Sequence, residues 1–224
     1  MSTPPSVAPD LGARARLLDA AAEIFGTYNL EGATTRQLAE RAGVNQAAIP
    51  YYFGGKEGLY LATVEYFFST HAPKIQVVVA QIHSRLTSNR IDRTEALNLM
   101  KKLLEHMLEI LLREQTNRSF GRIIIREQMQ PTKAFDLIYE RVIRHVHEAI
   151  SILLAIVLDR KPNDRSVILR AQMIVGQILI FLSGRETIRR RLNLTGYTEE
   201  EFEEIKAALR EQLDLLLPKR GARK

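Results

Sequence analysis

Signals that start and stop a helix follow one another so closely between residues 33 and 57 that only very short helices fit there. Thr34 and Gln37 have the spacing of a capping box, in which two side chains satisfy free backbone groups at the first turn of a helix. Gly43 tolerates the left-handed conformation that ends a helix. The pattern predicts a helix of about two turns followed at once by a tight turn.

A second short helix is predicted after this turn. Asn45 is a good N-cap for a helix over residues 46–51. The pair Gly54-Gly55 breaks the chain before a longer helix over residues 56–69, and another amphipathic helix ending near Tyr28 precedes the segment. Two short helices joined by a glycine-containing turn are typical of a helix-turn-helix unit.

The remaining segments also have the apolar periodicity of helices, and no segment alternates apolar and polar residues as a strand does. We therefore predict an all-α fold. Prolines, Pro73 and Pro131 among them, are expected at helix edges, while residues 1–9 are expected to form a disordered arm. The later predicted helices cover residues 94–114, 117–128, 131–158, 164–183 and 198–217.

Composition limits the class of protein. Hydrophobic residues make up 46% of the 224, which is enough for a buried core. The absence of cysteine excludes disulfides and thiolate metal sites. The N-terminus lacks a signal-peptide pattern, and the apolar stretch from Ala149 to Leu158 is shorter than the roughly 18 residues of a membrane span. We expect a cytoplasmic protein that does not contact membranes.

The net charge of +6 is unevenly distributed. Residues 1–60 contain five basic and six acidic residues, a net charge of −1, so the other 164 residues carry +7. DNA binding by the helix-turn-helix must therefore depend on geometry, amides and hydroxyls more than on bulk charge.

In a helix-turn-helix, the second helix enters the major groove and its first residues meet base edges. Gln46 can pair with an adenine edge, and Ala47 is small enough to touch a thymine methyl group. Asn45 and Tyr51 are the other side chains expected on the exposed face. The predicted contacts to phosphates are Thr34, Thr35, Arg36, Tyr51, Tyr52 and Lys56, with Arg14, Arg16 and the free amides of the first short helix as further candidates.

The local order of residues resembles the signature of the TetR/AcrR family of transcriptional regulators. The resemblance rests on the runs Ala33–Ala39, Ala42–Ile49, Tyr51–Phe53 and Lys56-Glu57. It implies a DNA-binding helix-turn-helix, a helical effector domain, a homodimer, and release of a palindromic operator when a small molecule binds. Repression is the family's commoner mode. Pro50 departs from the family pattern, and we expect it to remove a backbone hydrogen bond near the helix end.

Further runs resemble the CecR-like subgroup of this family. They are Tyr51–Ala62, Arg126–Thr132, Gly176–Leu179 and Gly184–Ile188. On this basis we assign residues 10–56 to the DNA-binding domain, 57–218 to the effector-binding and dimerisation domain, and 219–224 to a basic tail.

The last two helices have wide apolar faces that can form a four-helix interface with a second copy, although part of each face can equally be internal core. The residues of these faces are Ile168, Met173, Ile174, Ile178, Leu179, Phe181, Phe202, Ile205, Leu209, Leu213 and Leu216.

Polar and aromatic residues inside apolar helices are the candidates for the ligand pocket, with core packing, a structural ion pair or a solvated face open for each. They are His106, Phe120, Arg126, Glu127, Met129, Tyr139, His145 and His147, of which we select His106, Phe120, Arg126, Met129, Tyr139 and His145 as predicted ligand contacts. His145 and His147 are two residues apart and point to different helix faces, so they cannot chelate one metal ion. We expect no metal site and no cofactor.

A basic patch lies near the C-terminus, at Arg185, Arg189, Arg190, Arg191, Lys219, Arg220, Arg223 and Lys224. It is either a solvated face or a surface that attracts anions, membrane lipids or distal DNA.

Two other classes of function are alternatives to a regulator. An enzyme is disfavoured, since Gly54-Gly55-Lys56 lacks the earlier glycine and the strand of a phosphate loop, and no nucleophile or cofactor motif is present. A helical adaptor that binds a protein partner, without specific DNA binding, is the remaining alternative.

Overall fold

The computed structural model describes residues 11–88, 91–112 and 115–217, and every regular element in these ranges is a helix. The predicted all-α fold is confirmed. The predicted arm and basic tail lie outside the described residues. The elements are α1 (Leu11–Gly32), α2 (Thr35–Ala42), α3 (Ala48–Phe53), α4 (Lys56–Ser88), α5 (Arg93–Leu112), α6 (Gln115–Met129), α7 (Lys133–Ile138), a π-helical turn (Tyr139–Ile143), α8 (Arg144–Leu158), α9 (Arg165–Ser183), α10 (Arg185–Leu192) and α11 (Glu199–Leu216).

Buried apolar side chains form two clusters. The first joins α1–α4 to α6 and α7, and its largest members are Phe25, Tyr60 and Phe120. The second lies among α4, α5, α8, α9 and α11. Because the first cluster takes side chains from both sides of residue 56, the three N-terminal helices are packed directly onto α4 and α6.

Helix α4 is longer than predicted, and the expected helix edge at Pro73 is wrong. The helix continues through residue 73 to Ser88. A proline inside a helix removes one backbone hydrogen bond and crowds the carbonyl four residues earlier, at a cost of about 3 kcal/mol, which packing of the flanking residues can offset. Phe68 before it and Val78 and Ile82 after it are buried, so packing stabilises the helix on both sides.

The predicted single helix over residues 131–158 is divided. Thr132, not Pro131, precedes the first helical residue, and its hydroxyl accepts a hydrogen bond from the N–H of Ala134 at 3.1 Å. The π-helical turn then separates α7 from α8. A π-helical turn contains more residues than an α-helical turn, so it changes which faces the following residues occupy. The short basic helix α10 was not predicted.

Candidate nucleic-acid interface

Helix α2 begins with the predicted capping box. The hydroxyl of Thr34 accepts a hydrogen bond from the N–H of Gln37 at 3.2 Å, and Oε1 of Gln37 accepts one from the N–H of Thr34 at 3.0 Å. At the other end, Gly43 has a φ of 62° and donates its N–H to the carbonyl of Glu40 at 3.2 Å. Local residues therefore fix both ends of α2 and the direction of the following turn.

The turn into α3 is organised by Asn45. Its Oδ1 accepts a hydrogen bond from the N–H of Ala47 at 2.8 Å, and its carbonyl accepts one from the N–H of Ala48 at 2.9 Å. Asn45 thus stabilises a turn rather than the helix itself, and α3 starts two residues later than predicted. Ile49 is fully buried and anchors α3 in the first cluster.

Pro50 is the third residue of α3, in its first turn rather than near its end. The first N–H groups of a helix have no intrahelical acceptor, so a proline there removes no helical hydrogen bond. The next N–H, that of Tyr51, donates to the carbonyl of Ala47 at 3.3 Å. The expected loss of a hydrogen bond near the helix end is therefore wrong, and Pro50 is compatible with a regular short helix.

The side chains predicted to read bases are exposed, namely Asn45, Gln46, Ala47 and Tyr51. Tyr51 is 66% exposed and lies four residues after Ala47, on the same side of the helix. Gln46 donates from Nε2 to the hydroxyl of Thr35 at 2.7 Å. This contact holds Gln46 across the turn between the start of α2 and the start of α3.

The N-terminus of α2 has free backbone donors. No acceptor among the described residues binds the N–H groups of Thr35 and Arg36, the first two of the helix. The exposed Arg36 guanidinium contacts Glu40 at 2.7 Å, and this hydrogen bond and charge raise the pKa of Arg36. Backbone amides and a permanently charged arginine at one helix end form a surface suited to a phosphate.

Three other predicted phosphate contacts have partners within the protein. Nζ of Lys56 donates to the carbonyls of Ala33 at 3.0 Å and Glu31 at 3.4 Å, which attaches the start of α4 to the turn before α2. Tyr52 is half-buried in the first cluster, with its ring edge toward Tyr51. The Thr34 hydroxyl belongs to the capping box. Sequence reasoning did not predict this internal use of Lys56.

Two arginines of α1 lie beside this surface. The guanidinium of Arg14 lies over the ring of Phe53, 5.4 Å from its centroid, at the end of α3. Arg16 donates from Nε to the carbonyl of Ala42 at 3.3 Å, at the end of α2. Both were phosphate candidates from the sequence, and the fold brings both to the two short helices.

Helix α6 is attached to α1 by hydrogen bonds that the sequence did not predict. Arg122 donates from Nε to the carbonyl of Gly26 at 2.9 Å, and Arg126 donates from Nη1 to the carbonyl of Phe25 at 2.8 Å. A Cβ atom on Gly26 would lie 2.7 Å from the Cβ atom of Ser119, so glycine permits the close approach of the two helices.

A buried carboxylate connects α6 to α4 and α7. Glu127 is only 2% exposed and accepts hydrogen bonds from the hydroxyl of Tyr60 at 2.7 Å and from the N–H of Thr132 at 2.9 Å. Burial and the adjacent Glu127 raise the pKa of Tyr60, so its hydroxyl remains a donor at neutral pH. The helix-turn-helix and the rest of the chain are thus joined by polar groups on α6.

An apolar cavity of about 70 Å³ lies on the other side of α6. Its wall includes Phe67 and Phe68 of α4, Met107 of α5, Ile124 of α6, and Val175 and Leu179 of α9. Gln128, His147 and Gln172 supply its polar groups. Burial lowers the pKa of His147, so its imidazole is neutral at neutral pH.

None of the six selected ligand residues lines this cavity; of the eight candidates, only His147 does. His106, Met129 and Tyr139 are exposed, and His145 is partly buried. Phe120 is buried and stacks on Phe67 at 3.6 Å, while Arg126 contacts α1. Within the described ranges, no group of three or more histidine or acidic side chains is placed to bind a metal ion.

Comparison with known proteins gives the same assignment for both halves of the chain. The family model described as "Bacterial regulatory proteins, tetR family" matches residues 17–63. The model described as "HTH-type transcriptional dual regulator CecR, C-terminal domain" matches residues 96–218. The HTH-type transcriptional dual regulator CecR of Shigella flexneri is 35% identical over 212 residues, covering 92% of this chain and 91% of that protein.

Solved structures share the fold at low sequence identity. A TetR-like transcriptional regulator from Rhodococcus sp. RHA1 superposes with a TM-score of 0.65 at 15% identity, over 95% of this chain and 100% of that one. Mycobacterium smegmatis AmtR gives a TM-score of 0.60 at 18% identity, over 95% of this chain and 89% of that one. The exposed helix-turn-helix, the two family matches and the CecR relative together establish that this chain is a DNA-binding transcriptional regulator of the TetR family, with a CecR-type C-terminal domain, and not an enzyme.

Proposed function

We propose that this regulator binds a pseudo-palindromic operator as a homodimer and releases it when an apolar small molecule enters the cavity beside α6, so that it acts as a repressor. In this proposal, residues 10–56 bind DNA, and residues 57–218 bind the effector and the second copy of the chain in the dimer. One observation carries the proposal: α6 lines the cavity with Ile124 and Gln128 and contacts α1 through Arg122 and Arg126.

The DNA contacts follow from the exposed start of α3. Gln46 and Ala47 precede the helix at the position where base edges are met in the major groove, and Tyr51 projects from the same side one turn later. Thr35 and Arg36 present free amides to the backbone of the DNA. Since most of these groups are neutral, binding depends on salt less steeply than in a protein with many lysine contacts.

A second copy is the proposed partner of α9. Leu169, Met173 and Ile180 are 52%, 69% and 55% exposed, and their spacing with Gly176 places all four on one stripe of the helix. A contiguous apolar stripe on a protein surface is typical of an interaction site, and the small glycine allows another helix to approach. Leu215 and Leu216 of α11 are exposed as well, so two helices from each copy are available for a four-helix interface.

The remaining apolar residues of these helices have another role. Of the predicted interface residues, Ile174, Ile178, Phe202, Ile205, Leu209 and Leu213 are buried in the second cluster of the same chain. The interface is therefore assigned to Ile168, Met173 and Leu216, which remain exposed, together with the stripe of α9.

The effector class follows from the cavity wall. The wall is largely apolar, and its few polar groups, Gln128, His147 and Gln172, suit an apolar molecule with one or two hydrogen-bonding groups. A cavity of about 70 Å³ is far smaller than the roughly 300–1,000 Å³ of typical ligand sites, so binding requires the wall to expand. Val142 and Ile143 of the wall belong to the π-helical turn, an element that often marks functional sites.

Expansion of the cavity moves α6, and α6 moves α1. The two helices are in close contact at Gly26 and Ser119, so a displacement of α6 cannot leave α1 in place. In a dimer, this changes the separation of the two α3 helices, which must match half-sites about 34–36 Å apart.

Helix α9 is also long and apolar enough, by length and composition, to cross a membrane. Only 28% of its apolar window is buried within the chain. We assign the exposed part to the second copy and place the protein in the cytoplasm, where the DNA is. The core helices of soluble proteins can be equally long and apolar.

The DNA proposal is tested with duplexes from the region beside the protein's own gene. Fluorescence anisotropy is expected to show binding to a pseudo-palindrome and much weaker binding to a scrambled duplex of equal length. Tyr51→Ala should weaken binding by about tenfold, with an unchanged circular-dichroism spectrum. Absence of binding to any palindrome in that region overturns the operator proposal.

The effector proposal is tested by screening apolar compounds for release of the bound duplex. A releasing compound should lose its effect in Gln128→Leu, which removes a polar group from the cavity wall, but not in Gln212→Leu, an exposed position of α11. Equal release from both variants would show that the compound acts elsewhere.

A further inference from the structure

Part of the basic patch is not accounted for by DNA, the second copy or the apolar effector. Arg185 and Arg189 lie one turn apart on α10, so they project from the same side of that helix. Arg190 also belongs to α10, but it is exposed and paired with Glu186. Arg185 and Arg189 differ from Arg190 in that their Nε atoms are buried.

One arginine of α6, Arg118, lies close to Arg185 of α10. Gly121 brings α6 close to α9, since a Cβ atom there would lie 3.0 Å from Leu182. Arg118 and Arg122 are near this crossing on α6, and Arg185 follows Leu182 by three residues. The pKa of Arg118 is lowered, first by burial and then by the positive charges of Arg185 and Arg122, so Arg118 lies close to each of these two arginines.

The acceptors expected around such a group of arginines are missing from the described residues. Nε of Arg185 and Nε of Arg189 are buried without a hydrogen-bond partner in this part of the chain. The carboxylate of Glu186 is occupied by Arg189 and Arg190, through Nη1 and Nε respectively, at 2.8 Å each. Among the described side chains, neither Arg118 nor Arg185 has an ion pair.

A tyrosine completes the enclosure. The Arg185 guanidinium lies over the ring of Tyr197, 5.0 Å from its centroid, and the Tyr197 hydroxyl is buried and also lacks a partner within the described residues. Two guanidinium N–H donors and one hydroxyl are thus withdrawn from water with no acceptor in this region. A buried donor without an acceptor is unfavourable, so native proteins rarely keep several together without a bound water or ion.

From these groups, we infer that Arg118, Arg185, Arg189 and Tyr197 form a second ligand site, for a small phosphate-class oxyanion, at the junction of α6 and α10. Guanidinium groups bind phosphate oxygens in paired hydrogen bonds, and several of them favour an anion with more than one negative charge. The site is separate from the apolar cavity and does not depend on the proposed DNA or effector binding.

The position of the site suggests what occupancy does. Arg122 lies close to Arg118 on α6 and donates to both the carbonyl of Gly26 on α1 and the hydroxyl of Ser119. A bound oxyanion offsets the positive charges around Arg118, which precedes Arg122 by one helical turn, and links α10 to α6. An occupied site therefore stabilises the region where α6 contacts the DNA-binding helices.

The test is isothermal titration calorimetry of pyrophosphate into the full chain without DNA, at constant ionic strength. Wild-type protein should bind it, and Arg118→Gln and Arg185→Gln should each weaken binding about tenfold or more. Arg191→Gln is the matched control, because it removes the same charge from an exposed position of α10 and should leave the affinity within twofold. Circular dichroism checks that each variant is folded. If Arg185→Gln does not fold, the affinity of Arg118→Gln for pyrophosphate decides the outcome.

Three results from the titrations and the variants overturn the inference. They are absence of pyrophosphate binding to the wild-type protein, equal weakening in Arg191→Gln, and conversion of a dimer to monomers by Arg185→Gln without any anion binding, which would assign the free donors to a second copy. Anionic vesicles of phosphatidylglycerol and phosphatidylcholine form a separate arm: a site for soluble phosphate predicts competition by pyrophosphate, whereas vesicle binding that pyrophosphate does not reduce contradicts it.

Discussion

The hydroxyl of Tyr60 donates a 2.7 Å hydrogen bond to Oε1 of Glu127, and this bond joins α4, which leaves the helix-turn-helix, to α6, which lines the cavity. Both groups are buried, and Tyr60 also packs edge-on against Phe25 of α1 at 4.9 Å. One tyrosine thus contacts two of the helices that must move together if the cavity is to influence DNA binding.

Tyr60→Phe is expected to lower the free energy of unfolding by about 1–3 kcal/mol, because it leaves a buried carboxylate with one donor fewer. Urea denaturation measures the difference. Tyr66→Phe, on the exposed side of the same helix, is the control and should change stability by less than about 0.5 kcal/mol. Equal stability of Tyr60→Phe and wild type would show that the bond contributes nothing.

Gln46→Ala is expected to change sequence preference more than overall affinity. Gln46 lies at the start of α3 and is positioned by Thr35, so its loss should reduce discrimination at one base pair by about 1–3 kcal/mol. Competition assays with single-base variants of the operator measure this. Tyr51→Phe is the comparison, expected to weaken all duplexes alike; uniform weakening by Gln46→Ala would refute base reading.

Lys56→Met distinguishes an internal structural role of the Lys56 side chain from direct contact with a DNA phosphate. Its hydrogen bonds to the carbonyls of Ala33 and Glu31 predict a loss of about 1–3 kcal/mol in stability, together with weaker binding to every duplex. Lys102→Met, at an exposed position of α5, is the control. Unchanged stability with a smaller salt dependence of DNA binding would instead assign Lys56 to a phosphate.

The helix-turn-helix was predictable because its signals are local. The Thr34–Gln37 capping box and the Gly43 turn each depend on residues within a few positions of one another, so the sequence alone specifies them. The prediction for Pro50 was wrong only about its position within α3, because Pro50 lies in the first turn and not near the end. Local rules therefore placed the exposed residues Gln46, Ala47 and Tyr51 correctly on the surface.

The cavity was not predictable, because its wall comes from distant parts of the chain. Phe67 and Val175 meet there only through the packing of α4 against the helices of the second half. Helical periodicity also could not show which of His145 and His147 lines the cavity. The π-helical turn before α8 changes the phase of the faces, and only His147 reaches the cavity.

Val175→Leu is expected to stabilise the protein while reducing its response to an effector. The added methylene group enters the cavity of about 70 Å³ and should raise the free energy of unfolding by up to about 0.8 kcal/mol. Val167→Leu, on the same helix at a fully buried position outside the cavity wall, is the control and should destabilise by about 1–3 kcal/mol. Equal destabilisation by both changes would show that the cavity does not accommodate added volume.

The partly buried imidazole of His147 should make the folded protein less stable in mild acid. Burial lowers its pKa in the folded protein below the ordinary value of 6.5, so below that pH the unfolded chain binds a proton that the folded protein excludes. The free energy of unfolding must then fall as the pH drops through 6.5. His147→Gln removes this contribution, so urea denaturation should show a smaller acid-induced loss of stability in the variant, and a constant difference in stability between the two proteins above about pH 7.5.

His106→Gln, at an exposed position, is the control, and its stability should depend on pH as that of the wild type does. Parallel pH dependence of His147→Gln and wild type would mean that the imidazole can be protonated in place, and the cavity would then not be the dry, apolar environment that its lining indicates.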